Sequence, residues 1–227
     1  NDATVQGMLA GGLLVAVEPA NRSMLPLCGS LDLGPDQLAD RLRFYLTCER
    51  GKKASGEPIA IGAVVGKTGP DDFSASSTAA AAYFKCVNEN GGINGRPVEY
   101  IVADDQWNPE TATLVAGKLV RDRKVLAMVG NSSFVECGAN ARLYEQENVM
   151  VIAGVGVPRE CFFARNYAPV NTGPRVSATL VAAHMAKTHK ARKIVCIIPN
   201  IPSLGNWACE GAKGWGAANG VAVETIT

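Results

Sequence analysis

From residue 58 onward, short apolar segments alternate regularly with longer helical segments, a pattern that few folds can satisfy. Apolar runs predict strands at residues 58–65, 98–103, 124–129 and 148–153. Helical patterns lie between these runs, at residues 74–88, from Asn108-Pro109 onward, and at 136–146. Because parallel strands need long crossover connections, this spacing predicts βαβ units. The expected fold class is therefore α/β, a doubly wound parallel sheet with helices on both faces.

The alternation is interrupted at residues 171–174 (NTGP) and then restarts. A helix at 176–187, a strand at 193–198, a helix at 205–219 and a strand at 221–226 are predicted after the break. We interpret the break as a crossing between two lobes, with lobe 1 at residues 58–173 and the start of lobe 2 at 174–227. So few strands do not close a sheet well, so we expect lobe 2 to be incomplete and the chain to be a fragment.

Residues 1–57 lack this alternation and predict a helical N-terminal extension with a linker. Helices are expected at about residues 4–17 and 35–49, and the linker at 52–56. The longest apolar run, residues 8–17, is shorter than the roughly 20 residues of a membrane span. It follows Asp2 and has no basic flank, so it predicts a buried helix rather than the remnant of a signal sequence.

The charge balance excludes one broad class of partner. Lys and Arg number 22 and Asp and Glu number 21, which gives a net charge of +1. A protein that binds nucleic acid by neutralising phosphates normally carries a basic excess, so no nucleic-acid partner is expected.

The seven cysteines do not follow a metal-binding pattern. No pair has CxxC spacing, and the two histidines, His184 and His189, are distant from every cysteine in sequence, so no metal site is expected. Two interpretations remain open: small buried apolar side chains, as Cys196 in its strand would be, or disulfides formed in an oxidising compartment. The odd number leaves at least one cysteine without an intramolecular partner.

Three loops rich in glycine, hydroxyl and amide groups follow predicted strands, at residues 66–73, 130–134 and 154–158. With the strand order 2-1-3-4, these loops meet at the carboxyl edge of the sheet, where open α/β sheets bind ligands. Backbone N–H groups, hydroxyls and helix N-termini in such loops suit a carboxylate. For any single residue, glycine and serine forming a turn is the simpler explanation, but three converging loops favour a binding site.

Motifs of catalysis are incomplete or absent. The glycines at 62 and 66 are separated by three residues where a phosphate-binding P-loop needs four, and Gly154-x-Gly156 lacks the third glycine of a dinucleotide site. The sequence contains no Gly-x-Ser-x-Gly elbow. Asp104-Asp105 suits a metal or acid–base pair, or more simply the entry to the next helix. Neither enzymatic activity nor a cofactor is expected.

The residues that carry a family resemblance are IAIG at 59–62, TGP at 68–70, NGGINGR at 90–96, DDQ at 104–106 and NPETA at 108–112. Over residues 58–227 the chain resembles the type I periplasmic-binding fold, most closely the branched-chain amino-acid (Leu/Ile/Val) receptors of ABC importers. The resemblance implies two lobes that close on an amino acid or small carboxylate, with the membrane subunits of an ABC importer as partners. It also implies an extracytoplasmic location, periplasmic or at the cell surface, with a lipid anchor in some relatives. A ligand-sensing module of a receptor or regulator uses the same fold and is the alternative.

The resemblance also implies which residues contact the ligand. Serine, aromatic and backbone groups of the loops after strands three and four would meet its carboxylate, and an aromatic residue after Gly69-Pro70 would cover it. Two residues of lobe 2 would close over it, and the acid that holds an ammonium group is expected beyond residue 227. The implied ligand-binding residues are Thr68, Phe73, Ser132, Ser133, Phe134, Val155, Gly156, Val157, Leu204 and Trp207. Trp107 and Trp207 suit a ligand cleft or simple packing on the sheet edge equally well.

The resemblance finally favours the disulfide interpretation, since such receptors work outside the cytoplasmic membrane. It suggests a disulfide between Cys137 and Cys161, near loops on one sheet edge, and a second, Cys28–Cys48, within the extension.

Overall fold

The computed structural model describes residues 51–201, 204 and 207–227, which belong to one compact unit. The two helices predicted for the extension and the suggested Cys28–Cys48 disulfide lie outside these residues. In the predicted linker, Ala54 is buried and its N–H donates to the carbonyl of Asn88 at 2.8 Å. Among the described residues, no helix is both long and apolar enough to cross a membrane.

The larger sheet has five parallel strands in the order β2-β1-β3-β4-β5. The strands are β1 (Ile59–Val65), β2 (Val98–Asp104), β3 (Ala127–Ser132), β4 (Met150–Val155) and β5 (Tyr167–Pro169). The predicted order 2-1-3-4 and the α/β class are confirmed. The sequence analysis missed β5, which has only three residues.

The helices of this part of the chain are α1 (Ala75–Glu89), α2 (Pro109–Gly117), α3 (Glu136–Gln146) and α4 (Glu160–Phe163). The predicted start of α2 is confirmed: the Asn108 side chain accepts a hydrogen bond from the N–H of Thr111 at 2.8 Å, and Pro109 occupies the first turn. A π-helical turn, Lys118–Asp122, continues α2. The short helix α4 was not predicted.

The predicted bounds of the third strand are wrong. The N–H of Val125 still bonds to the carbonyl of Leu119 at the end of the π-helical turn, so the strand begins at 127 instead of 124. It also extends through Ser132, into the segment predicted as a loop. Its register shifts around Asn131, whose side chain accepts a hydrogen bond from the N–H of Val64 at 3.3 Å. The Asn131 side chain thus replaces one backbone hydrogen bond between β1 and β3, and β3 continues past this irregularity.

The main core cluster of this sheet lies on one face of its central strands. Val64 in β1, Met128 in β3 and Val151 in β4 are fully buried. Tyr144 of α3 and Leu119 of the π-helical turn complete the same cluster. On the opposite face of β4, Met150 and Ile152 are 52% and 45% exposed, so this continuously apolar strand is buried on one face only.

Beyond residue 171 the chain forms a second, two-stranded parallel sheet of β6 (Lys193–Ile197) and β7 (Ala222–Ile226). Its helices are α5 (Gly173–His189) and α6 (Trp207–Asn219), which pack on each other. The helix α5 starts three residues earlier than predicted, with Pro174 in its first turn. The assignment of residues 58–173 and 174–227 to two lobes remains a prediction.

Two disulfides lie within the described residues. Cys137 of α3 is bonded to Cys161 of α4, the pair that the resemblance suggested, with Cα atoms 5.3 Å apart. Cys196 of β6 is bonded to Cys209 of α6, with Cα atoms 6.0 Å apart. The interpretation of Cys196 as a small buried apolar residue is therefore wrong. Its partner is 13 residues away in sequence, across a loop whose folding no local pattern predicts.

Candidate functional site

The carboxyl ends of β1, β3 and β4 meet at one edge of the large sheet. Val65 is paired in register with Ser132, and Ser132 with Val155. The N–H of Gly66 donates to the carbonyl of Ser132 at 2.9 Å, which ties the loop after β1 to the end of β3. We call this edge, together with Leu204 and Trp207 above it, the crevice.

Asp104, the last residue of β2, holds the loop after β1 in place. Its carboxylate accepts hydrogen bonds from the Thr68 hydroxyl at 2.6 Å and from the N–H groups of Lys67 and Gln106 at 2.9 and 3.0 Å. Partial burial alone would raise the pKa of Asp104, but these hydrogen bonds outweigh it and keep that pKa below its usual value. The Thr68 hydroxyl is therefore engaged within the loop, on an exposed residue.

Phe73, Trp107 and Phe134 form a group of touching rings, which we call the aromatic trio. The Trp107 and Phe134 rings stack with centroids 4.5 Å apart, and Phe73 contacts them at 5.4 and 5.0 Å. The Trp107 indole N–H donates to the carbonyl of Asp71 at 3.0 Å. Phe73 and Phe134 were implied by the resemblance, and the structure brings them together around Trp107.

Trp107 is held by an unusual backbone. Gln106 and Trp107 both have left-handed conformations, with φ of 56° and 59°, at a typical cost of ~1–3 kcal/mol each. The Asp105 carboxylate accepts a hydrogen bond from the Trp107 N–H at 2.9 Å and offsets part of this cost. Gly69 leaves the space that the Trp107 ring occupies, because a Cβ at position 69 would lie 2.8 Å from Trp107 Cδ1. The φ of Gly69, 139°, also favours glycine.

The sequence analysis weighed Trp107 but did not assign it to the site. Two consecutive aspartates before an aromatic residue are the signal that would have found it, because both can accept hydrogen bonds from a tight turn. Among the described residues, no group of three or more histidine, cysteine or acidic side chains could hold a metal ion.

Ser133 is committed to the fold. Its hydroxyl donates to the Asp105 carboxylate and accepts from the N–H groups of Val135 and Glu136 at 3.0 and 3.2 Å, which fixes the turn that leads into α3. One donor and two acceptor positions are then used, the full capacity of a hydroxyl. Burial raises the pKa of Asp105, although the hydrogen bonds from Ser133 and Trp107 oppose the shift.

Ser132, its neighbour, is different. The residue is 1% exposed and its hydroxyl has no hydrogen-bond partner among the described residues. Leaving a buried hydroxyl unpaired typically costs ~1–3 kcal/mol. Ser132 therefore retains hydrogen-bonding capacity that Ser133 lacks.

The loop after β4 is tied to the crossing between the two sheets. The N–H of Gly156 donates to the Asn171 side-chain oxygen at 2.8 Å, and the Asn171 amide donates back to the Gly156 carbonyl at 2.9 Å. Both backbone groups of Gly156 are thus occupied. The N–H of Gly156 is therefore bonded to an amide side chain in this structure, and its contact with a ligand carboxylate stays a prediction.

Leu204 and Trp207 reach the crevice from the second sheet and are buried in a cluster with Val157. Phe134, Val155 and Phe162 pack against this cluster, and the Phe162 and Trp207 ring centroids are 5.6 Å apart. We call the whole group the covering cluster. The structure therefore joins the residues implied for both lobes, Phe134, Val155, Val157, Leu204 and Trp207. Trp207 is 9% exposed, and its indole N–H has no partner among the described residues.

Behind the crevice lies a buried carboxyl group that the sequence analysis did not single out. Glu136, at the start of α3, is 1% exposed and accepts a hydrogen bond from the Tyr167 hydroxyl at 3.2 Å. Burial raises the pKa of Glu136 from 4.5 to about 7, against the opposing effect of neighbouring hydroxyl and amide groups. Burial and then the charge of Glu136 raise the pKa of both Tyr144 and Tyr167 well above their usual value.

Comparison with known proteins gives a consistent set of matches. A family model described as periplasmic binding protein matches residues 58–226. An amino acid binding protein of Pseudomonas aeruginosa strain PAO1 is 32% identical over 66 residues, which is 29% of this chain and 18% of that protein.

Similar solved structures share the fold at low sequence identity. A solute binding protein of an ABC transporter from Rhodopseudomonas palustris BisB5, in complex with 3,4-dihydroxy benzoic acid, is 19% identical with a TM-score of 0.62. The match covers 75% of this chain and 47% of that one. The branched-chain amino acid transporter substrate binding protein LivJ from Streptococcus pneumoniae strain Canada MDR_19A, in complex with isoleucine, is 19% identical with a TM-score of 0.61. That match covers 75% of this chain and 50% of LivJ. The chain spans about half the length of these solved relatives.

Proposed function

The chain belongs to the periplasmic binding protein family, and from this premise we propose that it is a solute-binding protein of an ABC importer that binds a small amino-acid-like or carboxylate molecule. The observation that carries the proposal is the crevice. There the loops after β1, β3 and β4 place the aromatic trio beside the covering cluster. The family and its structural relatives are binding proteins and not enzymes.

The proposed mechanism of ligand binding depends on which side chains lie at the large sheet and which lie beyond it, near the small sheet. Phe73, Phe134 and Val155 come from the large sheet and would hold the ligand, whereas Leu204 and Trp207 would close over it. A ligand that contacts both sets of residues stabilises the closed arrangement over an open one, so binding shifts the population toward closure.

The location and partner of the protein belong to the same proposal. We propose an extracytoplasmic location, where disulfides such as Cys137–Cys161 and Cys196–Cys209 form and persist. Delivery of the ligand to the membrane subunits of an ABC importer follows from that role. Solved relatives described as solute binding proteins of ABC transporters support this proposal.

A thermal-unfolding screen of the chain against aliphatic, aromatic and acidic amino acids and small aromatic carboxylates tests the proposal. A ligand at 100 times its Kd adds ~2.7 kcal/mol, and each kcal/mol moves the Tm of a domain of this size by ~2–4 °C. Phe73→Ala should abolish the shift, because it removes one ring of the trio. Tyr83→Ala is the control, since Tyr83 is exposed on α1. No shift with any of these compounds would refute the proposal.

A further inference from the structure

Glu136 is a buried acid that the proposed binding mechanism does not use. It is 1% exposed, and none of the ion pairs among the described residues includes it. Its hydrogen-bond partner is uncharged, since the Tyr167 hydroxyl donates to Glu136 Oε1 at 3.2 Å. A carboxylate that is buried without a cation is costly, so burial favours the neutral, protonated form. The pKa of Glu136 is accordingly raised to about 7, which lets this group exchange a proton near neutral pH.

The titratable groups that face Glu136 bring no positive charge. Tyr144 on the same helix and Tyr167 on β5 offer hydroxyls that favour the ionised form. The charge that acts on Glu136 is negative and belongs to Asp105, which follows β2. Glu160 on α4 is a further acid, and its charge acts on Tyr167. A second negative charge brought close to this group of acids and phenols therefore increases the proton affinity of Glu136.

The loop after β3 connects Glu136 to the crevice. The Ser133 hydroxyl accepts a hydrogen bond from the N–H of Glu136 at 3.2 Å and donates to the Asp105 carboxylate. The side-chain amide of Asn131, in the same strand end, lies beside the Glu136 carboxyl group and favours its ionised form. The loop that is expected to meet the carboxylate of the ligand is therefore bonded directly to the first turn of the helix that carries Glu136.

A ligand carboxylate at this loop would bring a negative charge close to a buried acid. At the effective dielectric of a protein, two like charges ~10–20 Å apart change an affinity by about threefold to tenfold. Protonation of Glu136 removes this repulsion. Linkage is reciprocal, so a ligand that binds the protonated chain more tightly raises the proton affinity of Glu136 by the same factor.

On the premise of the proposed function, we propose that the chain takes up a proton on the Glu136 carboxylate when a ligand binds its own carboxylate at the crevice. The proton comes from the solvent and its buffer, and it returns there when the ligand leaves. Binding is therefore tighter at pH 6, where Glu136 is already protonated, than at pH 8.5, where Glu136 is ionised and repels the ligand.

Isothermal titration with leucine, phenylalanine, glutamate and benzoate, in phosphate and in Tris buffer, measures this proton uptake directly. The two buffers differ in their enthalpy of ionisation, so the difference between the apparent binding enthalpies gives the number of protons taken up. We expect an uptake of about 0.3–0.4 protons per bound ligand at pH 7. The Kd should rise about threefold to tenfold between pH 6 and pH 8.5.

Two variants assign the proton to Glu136. Glu136→Gln keeps the size of the side chain and cannot take up the proton, so its Kd should stay constant between pH 6 and pH 8.5. Glu145→Gln, at an exposed position of the same helix, is the matched control and should behave as the unmodified chain. Tyr167→Phe removes a hydrogen bond that favours the ionised form of Glu136, so the pH at which the Kd rises should move upward. A merely structural role of Glu136 would not move this midpoint.

The outcomes separate proton coupling from binding itself. Proton uptake that is lost in Glu136→Gln and kept in Glu145→Gln would support the coupling. Binding with no uptake and a Kd independent of pH would overturn the coupling and leave the proposed function standing. Uptake that persists in Glu136→Gln would also overturn it, because the proton would then go to another group such as Asp105. No binding of any of the four compounds at any pH would remove both.

Discussion

The large sheet and the small sheet of this chain are built from the same βαβ unit and differ in how well they are buried. Val64, Met128 and Val151 at the centre of the large sheet are fully buried. In the small sheet, Val195 and Ile197 on one face are 44% and 75% exposed. Two strands do not make an independently stable sheet, so the small sheet depends on contacts outside itself.

Those contacts are few and identifiable. Ile198, just after β6, and Trp207, at the start of α6, are buried in the covering cluster against residues of the large sheet. The Cys196–Cys209 disulfide joins β6 to α6. The large sheet is thus a scaffold that holds its own shape, and the small sheet is a region of lower local stability that covers the crevice.

The largest effect is expected from truncating the core of the large sheet. Met128→Ala removes a fully buried side chain whose Sδ would lie 2.7 Å from a Cβ on Gly62, and should lower the free energy of unfolding by about 2–5 kcal/mol. Ile197→Ala in the small sheet should change it by less than ~0.5 kcal/mol, because that side chain is largely exposed. Urea denaturation of both variants measures the difference. Equal losses would mean that the two sheets are equally packed.

Removing the Cys196–Cys209 disulfide should affect the small sheet selectively. Loss of a bond that closes a loop of this length costs about 3 kcal/mol. In the variant with Cys196→Ala and Cys209→Ala, hydrogen exchange of β6, β7 and α6 amides should accelerate, while β1 and β3 amides keep their protection. The matched control, Cys137→Ala with Cys161→Ala, should affect the large sheet instead. A uniform acceleration in both variants would show that the sheets unfold as one cooperative unit.

The smallest expected effect concerns pH and belongs to the large sheet alone. Because burial raises the pKa of Glu136 to about 7, the folded chain keeps a proton that the unfolded chain loses above pH 4.5. The free energy of unfolding should therefore fall as pH rises from 4.5 to about 7 and then level off. Glu136→Gln, neutral at every pH, should remove this part of the slope.

The control for the pH experiment is Glu145→Gln, an exposed position on the same helix. Asp105, whose pKa burial also raises, adds a slope of its own in every variant. Tyr144 and Tyr167, which also face Glu136, stay protonated across this window because their pKa values are raised. An unchanged slope between pH 5 and 7 in Glu136→Gln would place the titration on another group.

Local patterns were enough to predict that strands alternate with helices and where α2 starts, because the apolar runs and the Asn108-Pro109 cap act within a few residues. The strand order was predicted instead from the general rule for open parallel sheets. The same reasoning placed Gly130 to Ser132 in a loop, since glycine, asparagine and serine favour turns. Only the long-range hydrogen bond from the N–H of Val64 to the Asn131 side chain explains why this segment continues the strand.

Only part of the candidate site could be predicted from the sequence, for the same reason. The loops could be named from the strand ends, but which of their polar groups stay unpaired depends on tertiary contacts. Ser132 and Ser133 are adjacent and identical in sequence terms, and only the position of Asp105 distinguishes them. The Cys196–Cys209 disulfide and the position of the Trp107 ring likewise depend on contacts between segments that are apart in sequence.

The paired hydrogen bonds between Asn171 and Gly156 attach the crossing between the two sheets to the loop after β4. The Asn171 side chain both donates to and accepts from the backbone of Gly156, as a neighbouring strand would. It therefore joins residue 171 to the large sheet at the end of β4. The next regular element, α5, begins at Gly173, whose φ is 81°. In the closure proposed above, the chain would therefore bend between Asn171 and Gly173.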